Sequence, residues 1–542
     1  MTYCVHGIDN PRRRTLSLGA TTARARSMYY VAAFQSPRYL RERKVERMPP
    51  PPSTSGWNPH YWKTARRTGR ICLAASTGWI NPDTLIFHDT IDDGVDETTV
   101  GGCGNNIDEG GDTKVIYPSP SAVERLLIRD RLVYVKRDDA LHLPCSNISG
   151  NKGRKFLSLN NIPALDFPDV IVSYGGPQSN AMVALAAIVS SKNVVLRSRG
   201  RNPPEEVDRL TGMDGDYSFR QLEVSGDDVL GRDKNENAYI SQIVPSSSSK
   251  ETIRSTTTAP VKRFVYYTKT MPRYLRKHPN GNLLRAMALG MEIRTLTHEE
   301  YNDLFGGMHG GSVLAPADLE PPVPGRSLWV PQGGACGIAR PGSDALAGEI
   351  VDFWSANGRG MPLAVCVPGG TCTTALLLHR SIDGILERRR VEKRESLDIR
   401  VVVIPCVGDD EYAMRQMMSL NRRFGEKKGR GEDMPWVLKP RTDIEYGSAR
   451  RRSKGYFTFG EPAKAIIQTF DEMNEHGLFL DLLYGAPALS LLLQHWTSRA
   501  SDCPIAGRQV MYVHSGGLEG IASQLTRYKH KGLIDASTIQ IS

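Results

Sequence analysis

Short β-branched runs alternate with amphipathic segments from about residue 115 onward. The runs predict strands at Leu132–Val135, Val170–Ser173, Val194–Leu196, Arg263–Tyr267, Ser327–Val330, Leu363–Val367, Ile399–Ile404 and Gln509–Val513. The segments between several of them predict helices, among them Asn180–Ser191, Ser343–Ser355 and Glu461–His476. Strands that alternate with helices indicate crossover units, and therefore an α/β fold with mostly parallel sheets.

Three parts of the 542-residue chain lie outside this pattern. Residues 1–112 form an N-terminal extension that contains a Pro run at Pro49–Pro52 and a Gly-rich acidic stretch at Gly94–Gly111. Residues 199–261, with a Ser/Thr tract, and the basic residues 421–455 are expected to be surface insertions. The organised region is therefore about 113–542, interrupted twice.

The net charge of +10 comes mostly from the N-terminus. Residues 1–48 hold ten Arg or Lys and three Asp or Glu, a net +7, which leaves +3 for the remaining 494 residues. Such a basic, acid-poor segment is typical of an organelle transit peptide, so we expect a mitochondrial or other organelle protein; an unstructured basic tail in a cytoplasmic protein is the alternative. The charge lies outside the folded pattern and belongs to no recognised motif, so no nucleic-acid partner is expected.

Composition excludes other classes of protein. The nine cysteines are scattered without a CxxC pair, and His298-Glu299 has no second histidine four residues on. Neither a disulfide framework nor a metal site is therefore expected. No run of eighteen apolar residues occurs, so no membrane-spanning helix is expected either.

The first junction whose residues are suited to catalysis is Ser149-Gly150-Asn151-Lys152, which opens a predicted helix. A lysine among small residues at a helix start lies near the positive end of the helix dipole and partly out of water. Both effects disfavour the ammonium and lower its pKa, as a Schiff-base lysine requires. A basic helix start on the surface gives the same local pattern.

Two further junctions carry polar residues after predicted strands. Gly175-Gly176-Pro177-Gln178-Ser179-Asn180 combines close backbone approach with side-chain donors and suits a carboxylate, although Ser179 or Asn180 alone could simply cap the next helix. Gly369-Gly370-Thr371 leads into a helix and suits a phosphate. The Gly-Gly pair by itself is a weak signal.

Taken together, these motifs resemble the 1-aminocyclopropane-1-carboxylate deaminase and D-cysteine desulfhydrase family. The resemblance rests on Ser149–Lys155, Ser173–Asn180 and Pro368–Thr374, followed in family order by Gly281–Leu284, Pro331–Gly334, Phe459–Pro462, Leu483–Gly485 and His514–Gly517. It covers roughly residues 115–542 apart from the insertions, and is greatest with the plant desulfhydrase-like branch.

The resemblance implies a two-lobed pyridoxal-phosphate fold of type II, like that of tryptophan synthase β, with a mostly parallel open sheet flanked by helices in each lobe. The smaller lobe would span about residues 165–305, and the larger about 113–164 and 306–542.

The resemblance also implies roles for individual residues. Lys152 would carry pyridoxal 5′-phosphate, Asn180 would bond its O3′, and Ser515 would face its ring nitrogen. Gly369, Gly370 and Thr371 would hold the phosphate, with Lys155 as a plausible partner. The substrate would be bound by Gln178, Ser179 and Asn180, and Tyr484 would stand over it. The catalytic residues would be Lys152, Ser179 and Tyr484.

Three positions depart from the family pattern. Phe459 replaces a second tyrosine, Gly485 replaces the glutamate that faces the pyridine nitrogen in the deaminases, and Ser515 replaces their leucine. Without that glutamate the ring nitrogen is largely unprotonated, which weakens the electron sink. This favours elimination of a good leaving group over opening of a cyclopropane ring.

The predicted activity is therefore conversion of D-cysteine to pyruvate, ammonia and hydrogen sulfide by a homodimer. Three alternatives stay open: the cyclopropane deaminase itself, a lyase for another β-substituted amino acid, and a protein that only binds pyridoxal phosphate or an amino acid. Retention of Lys152 argues against the last alternative, because a pure binder has no use for a Schiff-base lysine.

Overall fold

The computed structural model of the chain describes residues 78–82, 119–144, 146, 148–199, 261–306, 315–393, 396–424, 434–441, 455–500 and 502–535. The predicted transit peptide at 1–48, nearly all of the first predicted insertion, and parts of the second lie outside these residues.

The described strands form two separate sheets. They are β1 Trp79–Ile80, β2 Val123–Ile128, β3 Arg131–Lys136, β4 Val170–Tyr174, β5 Arg263–Lys269, β6 Glu292–Leu296, β7 Ser327–Val330, β8 Leu363–Gly369, β9 Ile399–Pro405, β10 Trp436–Val437 and β11 Gln509–Val513. The smaller sheet has the order β1-β7-β4-β5-β6, and all of its pairs are parallel. The larger has the order β10-β9-β8-β11-β3-β2, and only β2 is antiparallel to its neighbour. The predicted fold class, with two mostly parallel open sheets, is confirmed.

Helices connect the strands and cover the sheets. They are α1 Gly150–Lys155, α2 Leu157–Asn161, α3 Asn180–Arg199, α4 Arg273–Lys277, α5 Gly281–Ala288, α6 His298–Phe305, α7 Arg340–Asn357, α8 Thr373–Val391, α9 Asp410–Arg423, α10 Lys464–Glu475, α11 Gly485–Gln494 and α12 Ile521–His530. Helix cover on both faces explains why the central strands β4 and β8 are buried along their whole length and read as continuous apolar runs.

Helix α3 is the main core helix of the smaller lobe. Met182, Leu185 and Ile188 on this helix are buried in the apolar cluster against β4 and β5. Within the described residues, Asn180–Ser198 is the one helix long and apolar enough to cross a membrane, but half of that window is buried inside the protein. Its apolar composition is explained by this core position.

The structure differs from the predicted organisation in four places. Val194–Leu196 is the last part of α3 and not a strand, because the helix continues past its predicted end; Val194 there is 60% exposed. Ser327–Val330 lies in the smaller sheet beside β4, although the predicted boundary assigned it to the larger lobe. Trp79–Ile80, from the predicted extension, pairs with that strand, and Trp436–Val437, from the second predicted insertion, extends the larger sheet.

Parallel pairing brings the functional junctions to corresponding edges. β4 and β7 end side by side in the smaller sheet, while β8 and β11 end side by side in the larger one. The carboxyl ends of parallel strands are where open α/β sheets bind ligands. The glycine-rich and polar turns that follow these four strands lie there.

Candidate functional site

Lys152 is the third residue of α1, which begins directly after the extended residue Ser149. Gly150 opens the helix with φ +63°, and a Cβ there would lie 2.5 Å from the main-chain oxygen of Ser515. Only glycine tolerates both conditions. The N–H of Asn151 donates to the same oxygen at 3.0 Å. Helix α1 is therefore seated on the turn that follows β11.

The surroundings of the Lys152 side chain disfavour a positive charge. Burial lowers the pKa of Lys152 to about 8, while the carboxylates of Asp481 and Glu519 oppose that change. Within the described residues, its Nζ makes no hydrogen bond or ion pair. A lysine with this pKa supplies neutral amine near physiological pH, as a Schiff-base lysine or a general base must.

Lys155, one turn later on α1, reaches the glycine turn after β8. Its Nζ donates to the main-chain oxygen of Gly333 at 3.1 Å and to Oγ1 of Thr371 at 3.3 Å. Burial lowers the pKa of Lys155 to about 7, and the charge of Lys152 lowers it further. No carboxylate among the described residues pairs with it. A buried ammonium of this kind is stabilised by an anionic ligand.

The turn between β8 and α8 leaves little room for a side chain at either of its two glycines. A Cβ on Gly369 would lie 2.7 Å from Cγ1 of Val403, and one on Gly370 would lie 3.0 Å from Cε1 of Tyr484. Cys372 precedes α8 with φ 55°, and no side chain caps this 19-residue helix. The first N–H groups of α8 are thus free of a side-chain cap and next to Lys155, an arrangement suited to a phosphate.

The turn after β4 holds Ser179 at the start of α3. Its Oγ accepts a hydrogen bond from the N–H of Met182 at 3.4 Å, so Ser179 acts as the N-cap. It also bonds the hydroxyl of Tyr266, which donates to the main-chain oxygen of Gly176 at 3.1 Å. Burial raises the pKa of the Tyr266 phenol, so this group stays protonated. Ser179 is therefore held from two sides.

Gln178 and Asn180 face the start of α5. The side-chain oxygen of Gln178 accepts the N–H of Asn282 at 2.9 Å, and its NH₂ group donates to the main-chain oxygen of Asn280 at 3.1 Å. Oδ1 of Asn180 accepts from Nδ2 of Asn282 at 2.6 Å. The amide of Gln178, predicted to bind substrate, thus also fastens α5 to the site.

Tyr484 stands against the glycine turn, with its hydroxyl 3.5 Å from the position that a Cβ on Gly370 would take. Burial raises the pKa of the Tyr484 phenol, so it is a hydrogen-bond donor at neutral pH. The ring of Phe459 lies 5.4 Å from that of Tyr484 and is 44% exposed. The residue that replaces the family's second tyrosine therefore contacts the predicted substrate-facing tyrosine.

Asp481 is a buried carboxylate that the sequence analysis missed. It accepts the N–H groups of Leu483, Tyr484 and Gly485 at 2.9, 2.7 and 2.8 Å, and so holds the turn that leads into α11. Burial raises its pKa, and those three donors partly offset the increase. A Cβ on Gly485 would lie 3.0 Å from Oδ2 of Asp481. The space beside Gly485 is thus already lined by a carboxylate.

His514 shapes the turn that carries Ser515. Its Nε2 lies 2.6 Å from the main-chain oxygen of Phe479, and its Nδ1 receives the N–H of Gly516 at 3.2 Å. Because a carbonyl can only accept, the hydrogen is on Nε2 and Nδ1 is an acceptor. His514 therefore links the turn after β11 to the segment that holds Asp481.

The structure brings the predicted site residues to one region where the two lobes meet. Direct contacts join Lys155 to the Thr371 turn, and the Gly370 turn to Tyr484. Lys152 lies on the same helix as Lys155, α1. Sequence reasoning missed Asp481, Tyr266 and the role of Asn282; an aspartate four residues before a helix is the one local signal among them. The functional roles themselves remain predictions.

The residues present fit pyridoxal 5′-phosphate. The cofactor needs an amine for its aldehyde and an anion site for its phosphate. Lys152 provides a weakly basic amine, and the buried Lys155 at the uncapped start of α8 provides the anion site. Three residues along a helix correspond to a rise of about 4.5 Å, so both ends of one small ligand fall within reach of α1.

No protein-family model matches the chain, and no curated protein matches it either. Among solved structures, it is similar to an ACC deaminase homologue at 15% identity and TM-score 0.44, over 78% of this chain and 95% of the other. An L-serine ammonia-lyase from Rhizomucor miehei matches at 10% identity and TM-score 0.38, over 76% and 99%. A hydrogen sulfide-producing enzyme from Fusobacterium nucleatum matches at 10% identity and TM-score 0.34, over 73% and 93%. At these values the likenesses carry no argument about the reaction.

Proposed function

We propose that this protein is a pyridoxal-phosphate-dependent enzyme that eliminates a leaving group from a small amino acid, with D-cysteine as the first substrate to test. The observation that carries the proposal is the pair of lysines on α1. No group in the described part of the chain bonds the amine of Lys152, whose pKa is about 8, while Lys155 bonds Thr371 at the start of α8. One turn of helix thus offers a nucleophilic amine and an anion site.

Bound pyridoxal phosphate would supply the electron sink that acidifies the Cα–H bond of an amino acid. Nζ of Lys152 would take the Cα proton, a task that suits a base with a pKa near neutrality. Ser179, fixed by Met182 and Tyr266, would bind the substrate carboxylate. With D-cysteine and water, the overall products would be pyruvate, ammonia and hydrogen sulfide.

Tyr484 would act on the leaving group. Its phenol is protonated at neutral pH, so its hydroxyl can donate a hydrogen bond or a proton but cannot act as a base. The neighbouring Phe459 has no hydroxyl, so it offers contact without a second donor. This arrangement gives a leaving group such as a thiolate one hydrogen-bond donor, the hydroxyl of Tyr484.

The region beside Gly485 supports elimination over ring opening. The carboxylate in this region belongs to Asp481, and its oxygens accept three backbone N–H groups. It is committed to the backbone N–H groups of the turn before α11, in contrast to a carboxylate carried on a free side chain at position 485. Ser515 offers only a neutral hydrogen bond, which is roughly half as strong as a charge-assisted one. The cyclopropane amino acid, which has no good leaving group, is the less favoured substrate.

The test uses purified full-length protein supplied with pyridoxal phosphate. We expect a visible absorbance band that changes on titration with D-cysteine, together with release of pyruvate and sulfide. Borohydride reduction followed by peptide mapping should place the pyridoxyl group on Lys152. Lys152→Ala should lose turnover by about three orders of magnitude or more, because base and cofactor anchor disappear together.

Two outcomes would count against the proposal. A pyridoxyl group on Lys155 or Lys136 would assign the cofactor to another amine. Faster release of 2-oxobutanoate from the cyclopropane amino acid than of pyruvate from D-cysteine would refute the electronic argument. L-cysteine and another β-substituted amino acid are tested in parallel. Turnover of either one, without turnover of D-cysteine, would support elimination as the reaction while rejecting D-cysteine as the substrate.

The proposal extends to assembly and location. We propose a homodimer, which light scattering of the purified protein tests. We also propose that residues 1–48 direct the protein to the mitochondrion or another organelle, since they hold a net charge of +7. Deleting them should move a fluorescent fusion to the cytoplasm and leave turnover unchanged; lost turnover with unaltered location would make this segment part of the fold.

A further inference from the structure

Asn282, near the start of α5, makes two side-chain hydrogen bonds at the edge of the site. It is 3% exposed. Its Nδ2 donates to the main-chain oxygen of Gln178 at 3.1 Å and to Oδ1 of Asn180 at 2.6 Å. The proposed function assigns no task to Asn282, although it directly contacts the residue expected to bond the cofactor.

These two bonds determine which way the amide of Asn180 points. A main-chain carbonyl can only accept, so the atom of Asn282 that approaches Gln178 must belong to its NH₂ group. An NH₂ group can only donate, so the atom of Asn180 that receives it must be the carbonyl oxygen. The NH₂ group of Asn180 is therefore directed away from Asn282.

The opposite end of the Asn180 amide faces the turn after β11. A Cβ on Gly517 would lie 2.8 Å from Nδ2 of Asn180 and 3.7 Å from Cγ of Asp481. Gly517 has φ +87°, a conformation that favours glycine. The missing side chain at position 517 leaves room for the NH₂ group, on the same turn that carries Ser515.

We infer that Asn282 is a positioning residue that locks the amide of Asn180 with its NH₂ group toward the cofactor. The inference rests on the proposed function and on the role that the sequence resemblance implies for Asn180, a hydrogen bond to O3′ of pyridoxal phosphate. An oxygen that carries negative charge needs a donor, and the reversed amide would present a carbonyl oxygen to it. The orientation of a single amide thus decides between attraction and repulsion at O3′.

A double-mutant cycle on cofactor affinity tests this role. The four proteins are wild type, Asn180→Ala, Asn282→Ala and the double variant, each titrated with pyridoxal phosphate and followed by quenching of intrinsic fluorescence. Each single variant is expected to bind about tenfold more weakly, the size of one hydrogen bond to a charged group. In the Asn180→Ala background, Asn282→Ala should change affinity less than about twofold, because its effect passes through Asn180.

A matched control and a second variant sharpen the result. Asn280→Ala removes a contact with Gln178 from the same helix start without touching Asn180, and should bind the cofactor within about twofold of wild type. Asn282→Asp keeps the size of the side chain, but a carboxylate can only accept hydrogen bonds. The Asn180 amide is therefore expected to turn its NH₂ group toward the new carboxylate. This variant should bind more weakly than Asn282→Ala, and should shift the pH dependence of the bound cofactor's absorbance.

The outcomes separate this inference from the proposed function. If wild type fails to bind pyridoxal phosphate, the proposed function fails. If wild type binds and folded Asn282 variants bind equally well, the positioning role is refuted. Additive losses in the cycle would also overturn it, as would unfolding of both Asn282 variants, since either result assigns Asn282 a purely structural role.

Discussion

A buried ion network anchors the helix that carries Lys152, and its removal gives the sharpest prediction about stability. Arg154 of α1 is 1% exposed and pairs with Glu349 of α7 through Nη1 and Nη2 at 2.6 and 2.7 Å. It also bonds Asp138 through Nη2 and Nε at 2.9 and 3.2 Å. Lys136 pairs with Oε2 of Glu349, an oxygen that Arg154 also contacts, at 2.5 Å. The positive charges of Arg154 and Lys136 are thus matched by two carboxylates, those of Glu349 and Asp138.

Glu349→Ala would leave Arg154 and Lys136 sharing Asp138 alone. Breaking a buried ion pair by removing one partner costs about 3–5 kcal/mol, because the remaining charge is buried without compensation. Typical total stabilities are about 5–15 kcal/mol, so this is a large fraction. The free energy of unfolding, from urea titration followed by tryptophan fluorescence at pH 7, is expected to fall by that amount.

The control lies on the same helix. Asp352 pairs with Arg389 at 2.8 Å, but its side chain is 76% exposed. Exposed pairs contribute about 0–1 kcal/mol, so Asp352→Ala should change the free energy of unfolding by no more than that. A loss for Glu349→Ala no larger than for Asp352→Ala would refute the claim that the network stabilises the lobe.

Acid should remove the same contribution. Burial opposes ionisation of Glu349, but its bonds to Arg154 and its attraction to Arg154 and Lys136 outweigh burial and lower its pKa. A lowered pKa in the folded state gives stability that is present above the ordinary value of 4.5 and is lost as the pH falls through the folded value. The difference between wild type and Glu349→Ala should therefore shrink below about pH 4.5. A difference that stays constant to pH 3 would contradict the charge argument.

Four further predictions concern the site. Gly517→Ala places a methyl group 2.8 Å from Nδ2 of Asn180 at φ +87°, and should weaken pyridoxal-phosphate binding about tenfold in a fluorescence titration. Lys155→Ala should weaken binding of pyridoxal phosphate more than binding of pyridoxal, which lacks the phosphate; equal losses would contradict the anion site. Tyr484→Phe should lower D-cysteine turnover about a hundredfold while cofactor affinity changes little, as a lost donor predicts. Trapping of an aldehyde by Lys152 in cofactor-free protein should rise with pH through about 8, and a rise only above pH 10 would contradict its lowered pKa.

Local sequence identified most strands and the chemical junctions. Continuous apolar runs such as Val170–Ser173 and Leu363–Val367 predict buried parallel strands, because both faces of such strands are covered. Ser179 and Thr371 closely follow these strands in the chain, so their placement at the sheet edge follows once the sheet is parallel. These two were predicted from the strand junctions, whereas Lys152 was predicted from its helix start together with the family resemblance, and Ser515 from the resemblance.

Where local preference and long-range pairing compete, tertiary structure decides. Val194 and Val195 are β-branched, yet Val194–Leu196 continues α3, because a weak intrinsic preference yields to the extension of a helix that is packed in the core through Met182, Leu185 and Ile188. Ser327–Val330 pairs with Trp79–Ile80 and with β4, partners that both lie far earlier in the chain. No local pattern reports which strand becomes a neighbour.

The sequence by itself determined the α/β class, the motif order and the residues that resemble a pyridoxal-phosphate site. Only the tertiary structure decided how these residues are tuned. Burial lowers the pKa of both lysines on α1, and the carboxylate of Asp481 accepts the N–H of Gly485 at the start of α11. Asn282 orients Asn180 from 102 positions away. These effects depend on distance and solvent access in three dimensions, and neither quantity is encoded in a local pattern of residues.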